Sequence, residues 1–359
     1  MDSGDSALRQ RLQTGFLGII AFALILFLLV QASFILIALV IAIIIFSLTS
    51  DAIAAVGRLH IGRLRVPNWL ATLAALAMIA LGLLWLSAAI VAQVNELLST
   101  AISYATEAEG AVAGISSRLG PDFQEAITTA VRGFNITYWL RSIAGQASSM
   151  VSMSMLIILF VGFMFAERAW FPVKVLHLAG GKAGAERFRD TVRVIMHRVN
   201  RYLVVKAVVS AMTAMAVWWI FTIAGLELAG PIAMITFGLN FLPSIGSIIA
   251  TILAVLVTWV QSGNDQLTIG VGIACTTVQF IIGNVLDPYL LGRTLRLSPF
   301  GIILSLAFWG AIWGFPGMFL AVPISVALMI VCSRIEWLRP VAILLSREGL
   351  PDSETEPAG

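Results

Sequence analysis

Apolar residues run along this chain in blocks rather than in the stripes of a soluble helix. Seven blocks stand out, at approximately 15–48, 66–93, 147–166, 203–226, 228–260, 267–286 and 300–333. A helix needs about 20 apolar residues to cross roughly 30 Å of hydrocarbon, and each block reaches that length. The pattern predicts an all-α polytopic integral membrane protein. Three blocks are too long for one ordinary crossing, since about 33 helical residues extend roughly 50 Å. Block 15–48 carries Gln31-Ala32-Ser33 near its middle and no proline. It is either two short antiparallel helices or one long tilted helix.

The other two long blocks differ, because each has a strong breaker at its centre. Block 228–260 is interrupted by Asn240-Phe-Leu-Pro243-Ser244-Ile-Gly246, and block 300–333 by Gly314-Phe-Pro316-Gly317. Each half is then too short for a comfortable crossing, so each block is expected to be a helical hairpin that enters and leaves from one side.

Charge supports that layout. Between Glu167 and Lys206 there are nine Lys/Arg against three Asp/Glu. The whole chain carries +3, so everything outside this segment is net acidic. Its position between apolar blocks places it in the cytoplasm by the positive-inside rule and argues against nucleic acid as a partner. With 228–260 and 300–333 as hairpins, Arg293, Arg296, Arg334, Arg339 and Arg347 all fall on the cytoplasmic side with both termini. Expected divisions are a cytoplasmic 1–14, a transmembrane scaffold 15–93, an external amphipathic segment 94–146, a span 147–166 and a basic cytoplasmic segment 167–202. A span plus hairpin at 203–260 and another at 267–333 follow, then a tail 334–359. The last two units have opposite topology, the layout of inverted repeats in secondary transporters. Within the basic segment, Phe188, Val192, Ile195 and Val199 share one helical face, and most of the arginines lie away from it. That is the pattern of a helix at an anionic lipid surface, and ordinary loop packing gives it equally well.

Composition agrees: 59% of residues are hydrophobic, 11% are charged, and mean hydropathy is +0.97. Cys275 and Cys332 both lie in apolar blocks, so no disulfide framework or metal site is expected. Enzyme motifs are missing where they would count: no HExxH, no CxxC and no phosphate-binding glycine loop ending in Lys-Ser or Lys-Thr. His60, His177 and His197 are scattered through predicted cytoplasmic segments. No catalytic residue and no cofactor is expected.

The polar groups inside the blocks are the candidate functional residues. Asn240, Ser244 and Ser247 flank Pro243 and Gly246 at the first break. Backbone groups freed there must be buried in protein or line a wet cavity, so these side chains either line a pathway or satisfy the break. Gln279 and Asn284 lie on block 267–286, and Asp287 follows it. Asp287 is suited to coupling, with Arg293 or Lys206 as its ion partner; a turn or cap before Pro288 explains it equally well. Lys206 competes with a simple snorkelling role. Pro243, Gly246, Pro288, Gly292, Pro299, Gly314, Pro316, Gly317 and Pro323 are the expected hinges and hairpin tips.

Four motifs in order carry a family resemblance over about residues 195–333. The run GNVLDPYLLGRTLRLSP, from Gly283 to Pro299, resembles the signature of the autoinducer-2 exporter (AI-2E) family: Gly-Asn, an acid before Pro, Leu-x-Gly and Leu-x-Pro. The segment LSLAFWGAIWGFPGMFLAVPISVAL resembles its Trp-Gly, Gly-x-x-Gly and Ala-Val-Pro pattern. RYLVVKAVVS and LNFLPSIGSIIA are similar to its TqsA-like branch. Departures are Ser244, where the branch commonly has Asn or another polar group, Asp287 in place of the usual Glu, and Pro316 inside the Gly-x-x-Gly break. The resemblance implies a bacterial inner-membrane secondary transporter that exports autoinducer-2, or in some members a sodium(lithium)/proton antiporter. It also implies a homo-oligomer, with a pentamer the form associated with the fold. Partners would be the lipid bilayer and a small molecule or monovalent cation. The opposing class is a non-transporting membrane scaffold.

Overall fold

In the computed structural model, the backbone is described for residues 2–58, 72–96, 136–243, 245–291, 297–347 and 349, and side chains for 13–50, 53, 72–96, 149–243, 245–290, 297–347 and 349. The candidate residues Ser244, Gly292 and Arg293 lie outside them, as does most of the 94–146 segment. The described residues are helical apart from turns and one antiparallel bridge between Leu297 and Ser346. In chain order the helices are α1 (Asp2–Gln31), α2 (Ser33–Arg58), α3 (Thr72–Glu96), α4 (Ile136–Glu167), α5 (Phe171–Leu178) and α6 (Lys182–Ile223). Then come α7 (Ala229–Leu239), α8 (Ile245–Ser262), α9 (Asp265–Ile281), α10 (Asp287–Leu291), α11 (Pro299–Ser333) and α12 (Arg339–Leu345). Eight stretches among the described residues are long and apolar enough to cross a membrane. The protein is an all-α, multi-pass membrane protein.

By contacts the chain divides into two units. One comprises Met1–Ala52, Leu159–Val199 and Leu295–Gly359. Here the first long block resolves its two alternatives. Ala32 N donates to Leu28 O and Leu36 N to Ala32 O, each at 2.9 Å. The helical ladder therefore continues from α1 into α2 without the reversal a hairpin needs, because Gln31 and Ser33 offer no breaker strong enough to stop it.

α11, in the same unit, does reverse. A straight helix would put residues 20 apart at roughly 30 Å, yet Ser325 Oγ donates to Ser305 Oγ at 2.7 Å. The turn is at Gly314, whose φ of 63° and ψ of −141° are open to glycine and strained for other residues. Pro316 follows in the first turn of the second arm, where its missing N–H leaves no helical bond unmade. The arms meet at close range, since a Cβ on Gly317 would collide with Trp309 O. The second arm is the most buried part of the unit, with Ala321, Val326, Met329 and Ile330 all fully enclosed. The Trp313 indole donates to Leu29 O at 3.0 Å, fixing the tip against α1.

The other unit comprises Ile53–Ile158 and Asn200–Thr294. α7 and α8 form its hairpin, packed along their lengths. Ile232 on one arm and Ala254 on the other share a buried cluster with Val217, Phe221, Val271 and Cys275. At the tip, Leu242 N donates to Leu239 O (2.8 Å) and Gly246 N to Leu242 O (3.1 Å). A Cβ on Gly246 would strike Leu239 O, so glycine is required where the arms close. Small residues at such contacts let helices approach where lipid gives no hydrophobic drive.

The basic segment and the span after it share one helix: α6 runs unbroken from Lys182 to Ile223. Its 42 residues extend roughly 63 Å, about twice the hydrocarbon thickness. No proline interrupts this stretch and its one glycine, Gly184, lies in the first turn. Nothing local therefore stops the helix where its character changes from basic to apolar. It ends at Gly225 (φ 70°), where Leu226 N bonds back to Phe221 O.

Candidate functional site: a buried ion pair beside a broken helix

α6 carries Tyr202, Lys206, Ser210 and Thr213 at spacings of four, four and three residues, which places them on one helical face. That face is turned inward: the four are 1%, 4%, 0% and 0% exposed. A polar stripe this deeply enclosed needs partners, and two other elements supply them to Lys206, Ser210 and Thr213.

The first is the tip of the α7–α8 hairpin. Asn240 ends α7, and its Nδ2 donates to Ser210 Oγ at 3.2 Å and to Thr213 Oγ1 at 3.4 Å. Thr213 Oγ1 in turn donates to Val209 O at 2.9 Å. The Asn240 carbonyl, freed by the break, accepts from Lys206 Nζ at 3.4 Å.

The second is the end of α9. Residues Ile282–Leu286 form a single π turn before α10 begins at Asp287. Its cause is Pro288, which lacks an N–H and whose ring would clash with the carbonyl four residues back in a regular helix. The wider turn relieves that clash, and Asp287 N bonds to Ile282 O instead. One extra residue turns all later side chains by about 100° relative to α9. Asp287 comes to face α6, and its Oδ2 accepts from Lys206 Nζ at 2.7 Å. The side chains of the pair are 5% and 17% exposed.

This pair joins residues 81 apart in sequence, both on helices apolar enough to span a membrane. Removing two charges from water costs several kcal/mol per ion, so such a pair is a weak device for stability. Ionisable groups within membrane segments mark solute, ion or proton routes by default. The site is also incompletely satisfied: Asp287 Oδ1 and the Tyr202 hydroxyl are both buried without a hydrogen-bond partner.

Of the residues picked out in the sequence, Lys206, Asn240 and Asp287 are thus brought together. Lys206 does not snorkel to a headgroup; it is buried 24 residues into α6. Ser247 lies in the first turn of α8, and its carbonyl accepts from Thr251 Oγ1 at 2.9 Å. Gln279 is buried on α9. Asn284 is exposed on the π turn and bonds its own helix, Nδ2 to Phe280 O at 3.1 Å. Tyr202, Ser210 and Thr213 are not singled out by the sequence. Their helical spacing with Lys206 is the available signal, hidden because hydroxyl residues in an apolar span look unexceptional one at a time.

The sequence profile described as AI-2E family transporter matches residues 17–337, nearly the whole chain. The chain belongs to the AI-2E transporter family. It is 28% identical over 296 residues to the AI-2 transport protein TqsA of Escherichia coli strain K12, covering 80% of this chain and 83% of that protein. A Haemophilus influenzae protein named no more specifically than as a transport protein is 29% identical over 276 residues, covering 74% of this chain and 78% of its own length. A Borreliella burgdorferi protein with the same general name is 31% identical over 211 residues, covering 58% of this chain and 57% of its own length. This AI-2E protein is a membrane transporter rather than an enzyme.

Proposed function

We propose that this AI-2E protein is an inner-membrane secondary transporter that exports a small polar signal of the autoinducer-2 class by alternating access, without ATP. The observation that carries the reading is the enclosed Lys206–Asp287 pair at a broken-helix tip. Broken helices present free backbone groups to a solute, and a transporter places its site where such groups meet ionisable side chains. Ser210, Thr213 and Tyr202 extend that polar surface along α6, and Asn240 joins it from the hairpin tip; in this reading Ser244, Ser247 and Gln279 also serve the pathway. Asp287 is the coupling group: protonating it removes the attraction that holds Lys206, freeing the amine and the Asn240 carbonyl. The span-plus-hairpin segments 203–260 and 267–333, to which the charge pattern of the sequence gives opposite topology, are the moving repeats in this reading, and residues 15–166 supply the scaffold and the contacts of a homo-oligomer, a pentamer by family resemblance.

A second reading, sodium(lithium)/proton antiport, is favoured by Asp287 Oδ1, an enclosed carboxylate oxygen with no partner. Purified protein in proteoliposomes distinguishes the two. Signal export predicts autoinducer-2 flux, abolished in Asp287→Asn. Antiport predicts a response of a luminal pH dye to an imposed sodium gradient. No flux of either kind under any gradient overturns both readings and leaves a scaffold.

A further inference from the structure

The elbow between α4 and α6 serves no part of the ion-pair site, yet it is built and held with care. α5 begins four residues after the apolar stretch of α4 closes at Glu167. Lys174 pairs with Glu167, and Arg189 Nη2 donates to Pro172 O at 3.3 Å. The return into α6 is tight: Gly180 and Gly181 take φ of 67° and 132°, and a Cβ on Gly184 would collide with Ala179 O. Val175 and Ala185 fill its inner side.

The outer side is apolar. Trp170 is 65% exposed, Phe171 50%, Val173 47% and Leu178 87%, with Phe188 nearby at 47%. Interleaved with them, Arg168, Lys182 and Arg187 are exposed too. A water-facing loop has no reason to fix large apolar groups outward. A surface that takes both classes is the headgroup layer: apolar side chains reach the acyl boundary while cations meet lipid phosphates. Tryptophan is enriched at that depth.

We infer that the α5 elbow is a membrane-surface anchor that takes anionic phospholipid headgroups, with Trp170, Phe171, Val173 and Leu178 at the acyl boundary and Arg168, Lys182 and Arg187 on the phosphates. Two observations select lipid over a protein partner. The elbow starts where a spanning stretch ends, which sets it at headgroup level. The Glu167–Lys206 segment is also strongly basic in an otherwise acidic chain, complementary to anionic lipid. Each basic residue near an anionic surface shifts docking by roughly five-fold, so losing three shifts it by roughly a hundred-fold.

The test uses the full chain in nanodiscs, in a Cys275→Ala/Cys332→Ala background. Leu178→Cys carries an environment-sensitive fluorophore, and acyl-brominated lipids are the quenchers. Strong quenching is expected in phosphatidylcholine–phosphatidylglycerol discs. Most of it should be lost in pure phosphatidylcholine, and in the Arg168→Gln/Lys182→Gln/Arg187→Gln variant at unchanged melting temperature. Equal quenching in neutral and anionic discs overturns the headgroup assignment. A label that stays in water in both overturns the anchor, and so does an unlabelled Leu178→Cys variant that crosslinks to a second copy instead of meeting lipid. If the triple variant misfolds, wild-type quenching titrated with salt decides the point: screening must weaken it, and quenching indifferent to salt overturns the headgroup assignment.

Discussion

Replacing Lys206 by methionine keeps most of the side-chain volume and removes the charge. Asp287 is then left with neither oxygen bonded, because Oδ1 already lacks a partner and Oδ2 bonds Lys206 Nζ. The Asn240 carbonyl loses its 3.4 Å donor as well. Breaking a buried pair by removing one partner costs about 3–5 kcal/mol, a large share of a total stability of about 5–15 kcal/mol. Lys206→Met should therefore melt well below wild type in detergent or fail to accumulate. Adding Asp287→Leu removes the stranded carboxylate, and apolar replacement of a whole buried pair is neutral or stabilising by about 1–4 kcal/mol. The double variant should regain wild-type melting, followed by intrinsic tryptophan fluorescence, while its proteoliposome flux stays at background. A single variant as stable as wild type, or a double variant no better than the single, would refute the reasoning about burial. A double variant that still transports would refute the role in coupling.

Other perturbations give equally specific outcomes. Tyr202→Phe deletes a buried hydroxyl that has no partner; stability should be unchanged or rise by about 1 kcal/mol, and a clear fall in melting temperature would mean the hydroxyl is bonded. Asn240→Leu strips Ser210 and Thr213 of their 3.2 and 3.4 Å donor and should cost about 1–3 kcal/mol. Asn284→Ala, at an exposed position, should stay within about 0.5 kcal/mol in the same melting assay. Gly317→Ala forces a Cβ into Trp309 O and to 2.8 Å from Trp313 Cβ, at a cost of about 1–3 kcal/mol. Limited proteolysis should show the α11 hairpin loosened in that variant, whereas Gly283→Ala, with nothing within 4 Å, should resist like wild type.

The sequence by itself determined the class of the protein and where its helices break. Apolar blocks of crossing length are a local property, and so is the turn at Gly314, because only glycine adopts its φ of 63° without strain. The close approach at Gly246 likewise follows from a missing side chain. Tertiary structure decided the rest. No local pattern pairs Lys206 with Asp287, which meet across 81 residues only because the fold brings the start of α10 against α6. Nor does the sequence show which polar residues of the Gly283–Pro299 run face inward. The π turn before Pro288 rotates Asp287 toward α6 while Asn284, three positions earlier, remains exposed on its own helix. The basic stretch before the span has the charge of a loop because charge sets which side of a membrane a segment occupies. Whether its backbone bends is set by breakers, and past Gly184 α6 has neither glycine nor proline to bend it.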